Sequence, residues 1–147
     1  MGDYTPITLQ VIDDKGNTLV DMAVPFRVGI DVQQVMESAF VLAQTTATRD
    51  PFLYTVEYYG YSEDPQYPGY LGYEIESICS LPTNDLCYWA LSVSGIISSA
   101  GADTTFPGPG STVLWKYTPI PANPAKLTAR ARVVQSRRSA RVAATKA

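Results

Sequence analysis

The sequence predicts a single α+β domain, one helix packed across a sheet, followed by a basic C-terminal segment. Three observations lead there. Stretches with the two-residue alternation of strands recur between residues 7 and 117, and one segment with helical spacing interrupts them. The chain has 147 residues, 46% of them hydrophobic and 17% charged, which gives one core enough apolar mass and leaves too little charge for wholesale disorder. Charge is also divided by position. Residues 1–120 hold four basic and all fourteen acidic residues, a net −10, and residues 121–147 hold the other seven basic residues.

Ile7, Leu9 and Val11 alternate with Thr8 and Gln10 as on a half-buried strand, and Thr18 to Val24 returns after Asp13-Asp14-Lys15-Gly16-Asn17. The pattern is a β-hairpin. Its Asp-rich turn lacks the later acidic ligands of a calcium loop and reads as a solvated turn. Val32, Val35, Met36, Ala39, Phe40 and Ala43 then share one helical face, with Asp31 as N-cap and Gln34 completing a capping box. The spacing predicts a helix over Val32 to Ala43, with Met36 and Phe40 in the core.

A polar link, Thr45 to Asp50, leads to a strand over Phe52 to Tyr59 that places Phe52, Tyr54, Val56 and Tyr58 on one face. A Pro/Gly-rich loop covers Ser62 to Gly72. Tyr73 to Ser80 and Cys87 to Ser94 read as antiparallel partners around a turn at Leu81 to Asp85, and Thr112 to Tyr117 is the last strand. This order and these lengths suit a β-grasp arrangement. The expected boundaries are a domain at 1–118, a Pro-rich spacer at 119–125 (Pro119, Pro121, Pro124) and a basic tail at 126–147. With its apolar content mainly Ala and Val, the tail is expected to be extended rather than independently folded.

Composition excludes several functions. The chain has no histidine, which removes the commonest general base and metal ligand, and no catalytic set stands out. Glu74 and Glu76 share a strand face and read as solvated acids, so the expectation is a non-enzyme with no metal site. No apolar run is long enough for a bilayer-spanning helix. Met1-Gly2-Asp3-Tyr4-Thr5-Pro6 has neither the basic start nor the apolar stretch of a secretory signal, so a cytoplasmic protein or the mature form of an exported one is expected.

Binding is the function class that remains. Seven of the ten tyrosines lie between Tyr54 and Tyr73, interleaved with acids. Tyrosine offers a flat apolar face and a polar tip at small entropic cost. Tyr54, Tyr58 and Tyr73 are expected to fill a sheet face. Tyr59, Tyr61, Tyr67 and Tyr70, on or beside the loop, are the candidate contacts for a small ligand or a protein, with Trp89 beside them and Trp115 in the core. Cys79 and Cys87 would lie opposite each other on paired strands, which leaves a disulfide and two free thiols both open. In the tail, Arg130, Arg132, Arg137, Arg138 and Arg141 form a partner-binding candidate. The domain's own −10 charge makes nucleic-acid phosphate a poorer partner than a neighbouring copy's acidic face, and a solvated tail stays open.

Residues 7–117 carry a resemblance that goes further. Tyr73-Glu74-Ile75-Glu76-Ser77-Ile78, then Tyr88-Trp89-Ala90-Leu91-Ser92-Val93-Ser94-Gly95, Gly101-Ala102-Asp103 and Leu114-Trp115-Lys116-Tyr117 resemble the transcobalamin C-terminal-like family, the small β-domain of transcobalamin, intrinsic factor and many bacterial surface proteins. Ser94 stands where that pattern has a turn Asn, and Ser111 where it has a turn Asp. The resemblance implies a β-grasp-like fold and, in the vitamin carriers, a surface over one side of a corrinoid that a large helical domain completes.

Overall fold

The computed structural model describes residues 4–44 and 52–146; the polar link read at 45–50 lies outside them. Strands β1 (Ile7–Ile12) and β2 (Thr18–Val24) form the expected hairpin. In its turn the Asp13 carboxylate accepts the backbone N–H groups of Lys15 (2.9 Å) and Asn17 (2.8 Å), so that side chain closes the turn itself. Helix α1 (Val32–Gln44) starts on the predicted capping box. Gln34 N–H donates to Asp31 Oδ1 (2.8 Å), and Asp31 N–H donates to Gln34 Oε1 (3.1 Å). Val32, Val35, Met36, Ala39 and Ala43 are buried, as the spacing requires.

Further along run β3 (Tyr54–Tyr58), β4 (Tyr61–Ser62), β5 (Gly69–Tyr70), β6 (Tyr73–Ile78), β7 (Leu81–Pro82), β8 (Cys87–Val93), β9 (Ile96–Ile97) and β10 (Thr112–Pro119). They make a mixed five-stranded sheet in the order β2-β1-β10-β8-β9, an antiparallel sheet β3-β6-β7 and the small hairpin β4-β5. β1 and β10 are parallel, in register Thr8↔Thr112 to Ile12↔Lys116. The main core gathers Ile7, Leu9 and Val11 of β1, Val35 and Met36 of α1, Ile75 and Ile78 of β6, and Trp115. No helix among the described residues is long and apolar enough to cross a membrane.

Three expectations change. First, β6 and β8 are not hairpin partners. The chain leaves β6 through Cys79 and Ser80, both at positive φ (51° and 69°), pairs briefly as β7, and then crosses to the other sheet. Asn84 shapes that corner, its side-chain oxygen accepting the N–H groups of Leu86 (2.8 Å) and Cys87 (2.9 Å). Cys79 and Cys87 therefore are not cross-strand neighbours, and both are free thiols packed against the core.

Second, the register of β3 against β6 shifts between Thr55 and Val56. Such an irregularity breaks the alternation of faces. Phe52 and Tyr54 stay with the core, but Val56 and Tyr58 are exposed.

Third, the basic tail is not an extended arm. After a 3-10 turn at Pro124–Lys126, residues Ala129–Lys146 form helix α2. Alanine and arginine are strong helix formers, and the Thr128 hydroxyl caps the first turn by accepting Ala131 N–H (3.1 Å). Val133 and Val134 of α2 are buried with Tyr59 and Leu71 in a second, smaller core.

Candidate binding surface

Tyr59 and Gly60 lead from β3 into β4-β5, so the segment read as a loop contains a two-stranded hairpin with Tyr61 opposite Tyr70. Gly60 takes φ +62°, and its carbonyl accepts Leu71 N–H (2.7 Å), which folds the hairpin back against the end of β3. On the outer side the rings of Tyr61 and Tyr70 lie 5.0 Å apart, Tyr58 and Tyr70 6.2 Å, and Tyr58 and Tyr73 4.8 Å. Tyr61 is 71% exposed and Tyr58 48%. The cluster is also held from behind. Asp103 accepts the Tyr70 hydroxyl (2.7 Å) and the Tyr73 backbone N–H (3.0 Å). That hydrogen bond, together with desolvation and the charge of Asp103, pushes the Tyr70 phenol up from its ordinary value.

The other expected contacts lie elsewhere. Tyr59 and Trp89 are buried, and Tyr67 is half-buried against the smaller core. Trp89 donates its indole N–H to Leu81 O (2.8 Å) and packs 4.9 Å from the Tyr117 ring, so it stitches the two sheets together. Tyr58 and Tyr73, expected as sheet filling, join the platform instead. The break in the β3 register carries Tyr58 there, a signal that strict alternation hides.

Glu74 and Glu76 were expected to face solvent, but α2 covers them, and Glu57 lies at the edge of the same contact. Arg141 pairs with Glu57, Arg130 with Glu74 and Arg138 with Glu76 (3.4 Å). The Arg130 guanidinium is buried and also donates to the carbonyls of Leu71 and Tyr73. Room for it depends on Gly101, where a Cβ would sit 2.8 Å from Arg130 Nη2 and 2.9 Å from each of those two carbonyl oxygens. Arg137 donates to Tyr59 O (2.6 Å) and Tyr61 O (3.0 Å), fixing α2 to the base of the tyrosine hairpin. Arg141 also lies 4.6 Å over the Tyr59 ring, whose hydroxyl donates to Glu76 (2.9 Å). Burial and the neighbouring Glu76 raise the Tyr59 phenol, and burial raises Glu74 against the opposing pull of Arg130. The acidic face that these arginines meet is thus their own chain's. Arg132 stands apart, on the flank of α2.

No protein-family model matches the chain, and no curated protein does. Solved structures do. Haptocorrin in complex with Cbi superposes with a TM-score of 0.55 at 23% identity, covering 80% of this chain and 26% of the haptocorrin chain. The fold is shared with that part of haptocorrin. A candidate metal-binding protein from Ruminococcus gnavus ATCC 29149 superposes with a TM-score of 0.52 at 16% identity, covering 80% of this chain and 99% of its own. The chain therefore spans about a quarter of haptocorrin and nearly all of the bacterial protein. Among the described residues no cluster of three Cys, Asp or Glu side chains is placed to hold a metal ion.

Proposed function

We propose that this chain is a non-catalytic binding module of transcobalamin-like, β-grasp type, and that Tyr58, Tyr61, Tyr70 and Tyr73 form its contact surface. The observation that carries this reading is the exposed ring cluster braced by Asp103. Rings fixed before binding lose little entropy when a ligand or partner arrives. In this reading residues 1–118 are the binding domain, 119–125 the spacer and 126–147 the basic segment. Because α2 covers Glu74 and Glu76, the two carboxylates have ion-pair partners and no open substrate face, which supports the non-enzymatic reading.

The shared fold with a Cbi-bound protein favours one ligand class for the first trial, a corrinoid. Cobinamide added to the full chain is expected to quench its aromatic fluorescence saturably. Tyr61→Ala and Tyr58→Ala are expected to weaken that binding by about tenfold each, roughly 1.4 kcal/mol. Unchanged fluorescence and an unshifted cobinamide spectrum would rule out the corrinoid, while a protein partner whose capture fails with Tyr61→Ala would retain the platform.

A further inference from the structure

A cleft of about 450 Å³ lies between α2, the tip of the tyrosine hairpin and the chain after β10. Its apolar lining is Ile120, Pro121, Leu127 and Val133. α2 adds a polar stripe to that lining. Arg132, Ser136 and Ser139 are spaced i, i+4 and i+7 and so share one helix face. Asp64 joins the lining from the hairpin tip, one carboxylate oxygen already accepting Gln66 N–H (2.8 Å). The volume is within the range of small-molecule sites, roughly 300–1,000 Å³.

Arg132 gives the cleft its chemistry. Arg130, Arg137 and Arg138 each donate to a carboxylate or carbonyl of the body, whereas the Arg132 guanidinium meets no acceptor among the described residues. Its Nε is nevertheless shut off from solvent. Its two Nη groups are not shut off in this way, so a charged acceptor in the cleft meets the guanidinium through them.

We infer that this cleft is a second ligand site, separate from the tyrosine platform, and that it takes a small monocarboxylate with an apolar body. The carboxylate pairs with Arg132, within reach of the hydroxyl stripe, and the apolar body lies over Leu127 and Val133. A single negative charge fits better than a phosphate dianion. One guanidinium can hold one carboxylate bidentately, and Asp64 in the same lining repels any further negative charge.

Hexanoate titrated into the 147-residue chain, followed by amide chemical shifts and by calorimetry, tests the proposal, with 1-hexanol and inorganic phosphate as comparison probes. Saturable hexanoate binding is expected with a Kd of about 1 mM or below, and binding of hexanol and phosphate about tenfold weaker or more. Arg132→Gln is expected to lose at least about tenfold in affinity, and Arg132→Lys less. Asp64→Asn is expected to tighten binding, a gain that misfolding cannot produce. Tyr61→Ala, on the platform, is expected to leave hexanoate binding unchanged, which keeps failure here distinct from failure of the platform. No saturation by about 50 mM, equal binding of hexanol, or full affinity in a folded Arg132→Gln protein would each overturn the assignment.

Discussion

Arg130 and Glu74 meet beneath α2, a guanidinium from the C-terminal helix and a carboxylate from the middle of the domain, both largely withdrawn from water. Removing one partner of such a pair strands the other charge in a poorly solvated place, whereas replacing both removes the desolvation problem. Arg130→Ala is therefore expected to destabilise the protein by about 3–5 kcal/mol in urea unfolding. Arg130→Met combined with Glu74→Leu is expected to recover most of that loss. A double variant as unstable as the single one would show that geometry, not charge, sets the loss.

The outer pair, Arg141 with Glu57, is half-exposed and belongs to a different regime. Glu57→Gln is expected to change stability by no more than about 1 kcal/mol, with the difference shrinking as salt screens the pair. Urea midpoints of the two proteins at low and high ionic strength measure it.

Gly101 has ordinary extended backbone angles (φ −73°, ψ 171°), so alanine there meets a steric objection alone. The added methyl would press on Arg130 and on the two carbonyls that hold it. Gly101→Ala is expected to cost about 1–3 kcal/mol, as overpacking does. In an Arg130→Met background the penalty is expected to fall, and a double-mutant cycle reads that coupling.

Ser94 and Gly95 form the two-residue turn between β8 and β9, with φ 49° and 85°. Asparagine tolerates left-handed backbone better than serine, and Asn-Gly is the favoured pair for such a turn. Ser94→Asn is expected to stabilise by a few tenths to about 1 kcal/mol, visible as a higher unfolding midpoint.

Alkaline pH probes the buried phenols. Tyr54 is pushed up to about 12, chiefly by burial with Glu37 adding to it, and Tyr59 is raised further by burial and Glu76. A folded-state pKa above the unfolded value means that the unfolded chain loses its proton first. Stability is therefore complete below about pH 10, the ordinary tyrosine value, and falls as pH climbs toward the raised values. The decline in urea stability above pH 10 is expected to be shallower in Tyr59→Phe. Absorbance titration is expected to show a late class of tyrosines that disappears in denaturant.

Local chemistry was the legible part of this fold. The first hairpin, the Asp31 and Gln34 box and the buried stripe of α1 depend on residues a few positions apart, and each formed as its pattern requires. What escaped was decided at longer range. Nothing in the alternation of Tyr54 to Tyr58 reveals a register shift that depends on β6 as partner, yet that shift puts Tyr58 on the surface. Likewise, Tyr73–Ile78 and Cys87–Val93 are both competent strands, and their separation into two sheets follows from a corner at Asn84 and from the partners β3 and β10. The tail read as disordered because its own apolar content is small. Its helix is held by acids that lie 56 or more residues earlier in the chain, and no local window contains them.

The parallel pairing of β1 with β10 has a consequence for how the molecule forms. These strands sit side by side in the middle of the main sheet, yet they come from opposite ends of the domain. A chain emerging from the ribosome holds β1-β2 as an isolated hairpin, marginal in water, until β10 is available to join it to β8. Closing so long a loop is entropically demanding, so assembly of the central sheet belongs late in folding and is slow for a protein of this size. α2 follows directly behind β10. The helix that covers Glu74 and Glu76 thus emerges after the strand that completes the main sheet, and it docks as that sheet closes.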